Sequence, residues 1–144
     1  MPLLSPVSIL NLTTLLGLLA STTLAFPTFT STSMAPLTKR ITLSCNDNGG
    51  LYRPVSEAQA CVDYLVSKGT DNCIVSGENT VFCQAGDTVI TGSNTGKGGQ
   101  SSLCRDVAGG AQKIIDSCTT PDGYVGGYNA AEGNGALIVS VNHR

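Results

Sequence analysis

Two segments of the chain carry apolar residues at helical spacing, and the stretches around them carry the alternation or β-branched enrichment of strands. Ile41-Thr42-Leu43-Ser44-Cys45 alternates apolar and polar with period two, so Ile41, Leu43 and Cys45 are expected on the buried face of a first strand. Asp47-Asn48-Gly49-Gly50 ends it, because these are turn formers. Ser56 then opens a helix, with Gln59 three residues on completing a capping box. Ala58, Cys61, Val62 and Leu65 fall at i, i+3, i+4 and i+7 and make one apolar stripe, and Gly69 is placed to stop the helix.

Asn72-Cys73-Ile74-Val75 and Thr80-Val81-Phe82-Cys83 flank Gly77-Glu78-Asn79, which reads as a hairpin with Cys73 opposite Cys83. Asp87 to Thr91 extends this sheet or forms a further short strand. Gly92 to Gly99, with four glycines, is expected to be a mobile loop. A second helix is capped by Ser101 or Ser102 and runs to Cys118, with Val107, Ala111, Ile114 and Cys118 on one face and Pro121 beyond its end. Gly109-Gly110 inside that helix costs about 1 kcal/mol per glycine relative to alanine, and pattern alone leaves open tolerance or close packing on the sheet. Ala136-Leu137-Ile138-Val139-Ser140-Val141 is a strong strand. The turn signals Asp122-Gly123 and Asn134-Gly135 point to a hairpin with Tyr124-Val125. The order strand, helix, strand, strand, helix, strand predicts an α+β fold, a split βαβ (ferredoxin-like) two-layer sandwich with two helices on an antiparallel sheet.

The first 40 residues read differently. Val7 to Leu24 is uncharged and Leu-rich, and Thr23-Leu24-Ala25 places small residues at −3 and −1, the pattern of a secretory signal cleaved after Ala25. Thr, Ser and Asn dilute the stretch and no basic stop-transfer cluster follows, which argues against a retained membrane span. Residues 26–40 are rich in Pro, Ser and Thr and lack apolar periodicity, the composition of a disordered propeptide. They end in Lys39-Arg40, a dibasic pair of the kind furin-type or kexin-type proteases accept. Cleavage there would leave a cysteine-rich domain of residues 41–144, secreted and extracellular.

Charge narrows the chemistry of that domain. It keeps six Lys and Arg against ten Asp and Glu, a net charge of −4, with no basic stripe. Nucleic acid is therefore excluded as a partner, since phosphate binding needs clustered cations. His143 is the single histidine, which leaves little for a His-rich zinc site or for a Ser/His or Cys/His catalytic set. Gly92-Ser93-Asn94-Thr95-Gly96-Lys97-Gly98 is one residue short of a phosphate loop and lacks Ser or Thr after its lysine. Asn46-Asp47-Asn48-Gly49 lacks the ligand spacing of a calcium loop. No metal and no cofactor are expected. Asp63 with Glu57, and Asp106 with Asp116, are acid pairs on helices, where carboxylates usually form a solvated face. Glycoside hydrolysis instead needs two carboxyls facing across a cleft. Tyr52, Tyr64, Tyr124 and Tyr128 supply most of the domain's aromatic surface, and Tyr124 and Tyr128 sit in a Gly-rich turn region where a tyrosine can anchor a partner.

All six cysteines, Cys45, Cys61, Cys73, Cys83, Cys104 and Cys118, follow the dibasic pair, and an even number outside the cell means a disulfide framework. Cys104 and Cys118 lie about 21 Å apart along one helix and cannot pair unless that helix breaks at Gly109-Gly110. In a split βαβ sandwich the ends of the first strand and second helix share a sheet edge, which favours Cys45–Cys118. Cys61–Cys73 and Cys83–Cys104 then follow. Each bridge would tie a helix to the sheet.

The signal, the Lys39-Arg40 pair and the Cys/strand/helix order from Cys45 to Cys118 carry a family likeness. So does the stretch from Cys104-Arg105-Asp106-Val107 through Ile114-Ile115 to Gly123-Tyr124-Val125-Gly126-Gly127. The chain resembles the small secreted cysteine-rich proteins of fungi, in particular killer-toxin-like and necrosis-inducing extracellular effectors. The resemblance implies a secreted, non-enzymatic virulence or necrosis-inducing factor that binds a host or competitor protein or cell-surface target. The alternatives are a killer toxin acting on competitor membranes or channels, which the acidic charge disfavours, and a small secreted enzyme, which the missing nucleophile–base set disfavours.

Overall fold

The computed structural model describes residues 41–46, 52–95 and 98–144. The expected signal ending at Ala25, the segment 26–40 with Lys39 and Arg40, the Asp47–Gly50 turn and the Gly96-Lys97 part of the glycine-rich loop lie outside the described residues. The elements in chain order are β1 (Ser44–Cys45), β2 (Arg53–Pro54), α1 (Val55–Lys68), β3 (Asn72–Val75), β4 (Asn79–Ala85), β5 (Thr88–Asn94), β6 (Gln100–Leu103), α2 (Cys104–Cys118), β7 (Tyr124–Val125), β8 (Gly127–Ala131) and β9 (Asn134–His143). β1, β8, β9, β5 and β4 form, in that order, an antiparallel sheet, and β2–β7 and β3–β6 are separate two-stranded ribbons. The fold is α+β, with three disulfides joining its layers.

Helical periodicity decides the core. Ala58, Cys61, Val62 and Leu65 on α1 are buried as one stripe, and Val107, Ala111, Ile114 and Cys118 on α2 are buried as another. They meet Leu137, Val139 and Val141, alternate residues of β9, and Ile90 of β5 in one apolar cluster. The helices lie antiparallel. Backbone bonds from Cys104 N to Asp71 O and from Arg105 N to Gly69 O tie the start of α2 to the end of α1. Further along the pair Gln59 Nε2 donates to Gln112 Oε1 at 3.1 Å. α2 rests closely on β8: a Cβ at Gly110 would stand 2.7 Å from Ala130 O, so close packing, and not tolerance, accounts for this glycine.

The strand order differs from the split βαβ sandwich, which keeps its first strand inside the sheet. Here β1 is a two-residue strand at the edge, and the interior place goes to β9, paired on both sides by β8 and β5. A ten-residue strand offers ladder partners along both edges, whereas a two-residue strand cannot satisfy the longer strands on either side.

Local differences follow from the same competition between near and far partners. β3 pairs with β6 and not with β4, so the expected Cys73/Cys83 hairpin does not form. β4 turns back on β5 through Gly86-Asp87. Ser101 and Ser102 belong to β6, and the Ser102 hydroxyl donates to Glu132 O at 3.0 Å instead of capping α2. The Ser56 capping box is also absent: α1 begins at Val55, whose N–H is taken by Gly123 O, and no side chain caps the helix. β9 pairs with Gly127–Ala131, while Tyr124-Val125 pairs with Arg53-Pro54.

Candidate binding groove

Two of the three expected bridges are exchanged. Cys45 joins Cys118, tying the edge strand β1 to the end of α2. The expected Cys61–Cys73 and Cys83–Cys104 pairs are replaced by Cys61–Cys83 and Cys73–Cys104. The reason is topological. The β3–β6 register sets Asn72 against Leu103, which brings Cys73 to Cys104 at the start of α2. β4, released from β3, passes beneath α1 and carries Cys83 to Cys61.

The Cys61–Cys83 bridge underlies a groove of about 400 Å³ between the outer side of α1 and β4. Ala60 and Tyr64 line it from the helix, one turn apart and outside the buried stripe. Val81, Phe82, Cys83, Gln84 and Ala85 line it from the strand. Tyr64 is 46 % exposed and Val81 57 %, so large apolar side chains stand open at the rim. Lys68, four residues after Tyr64, places its ammonium 5.2 Å from the ring centroid, a cation–π contact that orients the ring. A smaller recess of about 180 Å³, lined by Leu65, Lys68, Asp71, Asn72, Cys73 and Cys104, adjoins it and shares Tyr64 and Phe82. Two disulfides therefore back one continuous surface.

The strand wall is shaped by a bulge. The β4–β5 register shifts between Val81 and Cys83, leaving Phe82 without a partner across the ladder. The Phe82 ring turns inward over Gly92 of β5, where any Cβ would collide with it and with Val75. The run Val81-Phe82-Cys83, three apolar residues in succession, breaks period two at this point. It is the sequence trace of the bulge, although the groove itself went unrecognised in the linear pattern.

Each candidate acid has a side-chain partner close by. Asp63 accepts from Gln59 at 3.1 Å and Asp116 from Gln112 at 2.9 Å, so the two carboxylates end a polar ladder across the solvent side of the helices. Glu57 accepts a hydrogen bond from the buried Thr88 hydroxyl at 2.7 Å, and Asp106 lies by Arg105 at 3.7 Å. Neither lines the groove. Tyr124 and Tyr128 are exposed, on β7 and β8, and do not line it. Among the described residues no group of His, Cys, Asp and Glu is arranged to hold a metal.

The model of a domain of unknown function, DUF8794, matches residues 40–143. The chain belongs to the DUF8794 family. The matched span carries all six cysteines, both helices and both walls of the groove, so these are features of a DUF8794 domain in this chain. A search of curated proteins finds no match.

Proposed function

We propose that this DUF8794 protein is a secreted, non-enzymatic effector of the killer-toxin-like or necrosis-inducing kind, and that it engages a host or competitor target outside the cell through the α1–β4 groove. One observation carries the reading: an exposed apolar and aromatic surface is fastened by Cys61–Cys83 to the core helix behind it. Rims of this kind on soluble domains mark contact surfaces, and tyrosine is enriched among the residues that dominate binding energy. A surface held rigid before contact loses little conformational entropy on binding. Three disulfides suit an oxidising, extracellular setting, and no helix among the described residues is long and apolar enough to cross a membrane.

The test uses full-length chain expressed by secretion and purified from the medium. Wild type, Tyr64→Ala and Val81→Asp are infiltrated into plant leaves and, in parallel, added to competing fungal cultures. Both positions are exposed, so the variants should keep the wild-type unfolding midpoint. The expected result is a host response to wild type that both variants lose. A response equal in all three removes the groove from the mechanism, and growth arrest of the competitor without a host response replaces the effector reading with the toxin reading.

A further inference from the structure

The groove has a backbone wall as well as side-chain walls. β4 is the last strand of its sheet, paired by β5 along one edge only. In an antiparallel pair, alternate residues direct N–H and C=O toward the partner strand while the others direct them away. No strand and no turn bond reaches the outward groups of β4 among the described residues. In a two-residue hairpin the pair flanking the turn, here Ala85 and Thr88, is the hydrogen-bonded one. The backbone of Gln84 therefore faces outward, at the groove it helps to line.

Charge limits what can lie there. Asn79–Ala85 contains no ionisable side chain, its one cysteine being bridged, and no residue lining the main groove is charged. The rest of the domain is acidic, and the charged neighbours are Lys68 and Asp71 in the adjoining recess and Glu57 at the Gly86 end of β4, its carboxylate already engaged by the Thr88 hydroxyl at 2.7 Å. A charged side chain seated between Ala60, Tyr64 and Val81 would lose hydration without meeting an opposite charge among the lining residues. An uncharged occupant pays no such penalty. An extended chain also matches the form of the site, because it supplies main-chain donors and acceptors to an open edge and presents side chains to one face at every second residue.

We infer that the groove takes an extended, uncharged segment of a target polypeptide, which adds to β4 as a sixth strand and seats an apolar side chain against Ala60, Tyr64 and Val81. This rests on the reading of the groove as the contact surface and specifies how contact is made. Main-chain bonds to β4 supply the docking, and the aromatic recess selects the side chain.

The probe is a blocked peptide of the length of β4, seven residues, alternating Thr with Val and Phe. It is titrated into isotope-labelled full-length secreted protein and followed by amide chemical shifts. The expected shifts concentrate on Val81 to Ala85 and Tyr64. N-methylation of one alternate set of peptide groups should weaken binding at least about tenfold, while methylation of the other set leaves it unchanged. Gln84→Pro removes the outward N–H at an edge that tolerates proline and should weaken binding similarly, whereas Gln84→Ala, which keeps the N–H, should lose clearly less than Gln84→Pro. Shifts away from β4, equal effects of the two methylated peptides, or β4 shifts that follow protein concentration without peptide would overturn the inference, the last in favour of a second copy. If Gln84→Pro loses its folded spectrum, the methylated pair decides. Groove variants that lose the host response while wild type ignores the peptide would keep the contact surface and remove the strand. Peptide binding on β4 with the host response intact in those variants would do the reverse.

Discussion

The adjacent glycines of α2 permit a sharp test of how the helix sits on the sheet. Replacing either by alanine gains about 1 kcal/mol of helix propensity. At Gly110 the new methyl would stand 2.7 Å from Ala130 O and 3.2 Å from Ala131 Cα. Both are backbone atoms of β8, held by the ladder to β9, and neither can swing aside. Forcing α2 outward costs about 1–3 kcal/mol, so Gly110→Ala is expected to lose up to about 2 kcal/mol net. At Gly109 a methyl meets only the carboxylate end of Glu132, which can rotate away. That rotation gives up the exposed Lys113–Glu132 pair, 2.8 Å apart and worth about 0–1 kcal/mol, so Gly109→Ala should be neutral or stabilised by up to about 1 kcal/mol. The two variants are expected to differ by about 1.5 kcal/mol, equivalent to roughly 6–12 °C in midpoint for a domain of this size. Thermal and urea unfolding with the disulfides intact would measure the gap. A Gly110→Ala protein as stable as Gly109→Ala would refute the close α2–β8 contact.

Three further outcomes follow from the same packing. Replacing Cys61 and Cys83 together by alanine opens a loop of 22-residue separation and should cost about 3 kcal/mol in urea unfolding; a loss below about 1 kcal/mol would mean that the bridge does not hold β4 to α1. Thr88→Val removes the hydroxyl that reaches Glu57 and should cost about 1–3 kcal/mol, with Thr88→Ser retaining most of the stability, measured in the same assay. Peptide mapping of the unreduced protein should yield Cys45–Cys118, Cys61–Cys83 and Cys73–Cys104, and recovery of Cys61–Cys73 would contradict the β3–β6 pairing.

Which faces are buried was legible along the chain. The stripes on both helices and the alternation of Leu137, Val139 and Val141 emerge as the core, because periodicity records a local geometry that each element imposes on itself. Gly69 as the helix stop is legible for the same reason, its φ of 56° being one that glycine adopts without cost. Boundaries were less secure. Ser56, Ser101 and Ser102 have capping chemistry, yet the backbone bond at Val55 and the β6 ladder supply those hydrogen bonds from distant residues.

Pairing was not legible, and the candidate site depends on pairing. Asn72–Val75 and Asn79–Ala85 are neighbours along the chain and look like a hairpin, but each finds a better ladder elsewhere, β3 on β6 and β4 on β5. That exchange redirects Cys73 to Cys104 and Cys83 to Cys61, leaves β4 at an open edge, and creates the groove beside Tyr64. The sequence by itself determined the cysteine content, the acidic charge, the two helices and the residues that face inward, all properties of single residues or of one turn of chain. Tertiary structure decided which strands are neighbours and hence which cysteines meet and where an apolar surface stays uncovered, because strand partners are chosen by competition among backbone edges far apart in sequence.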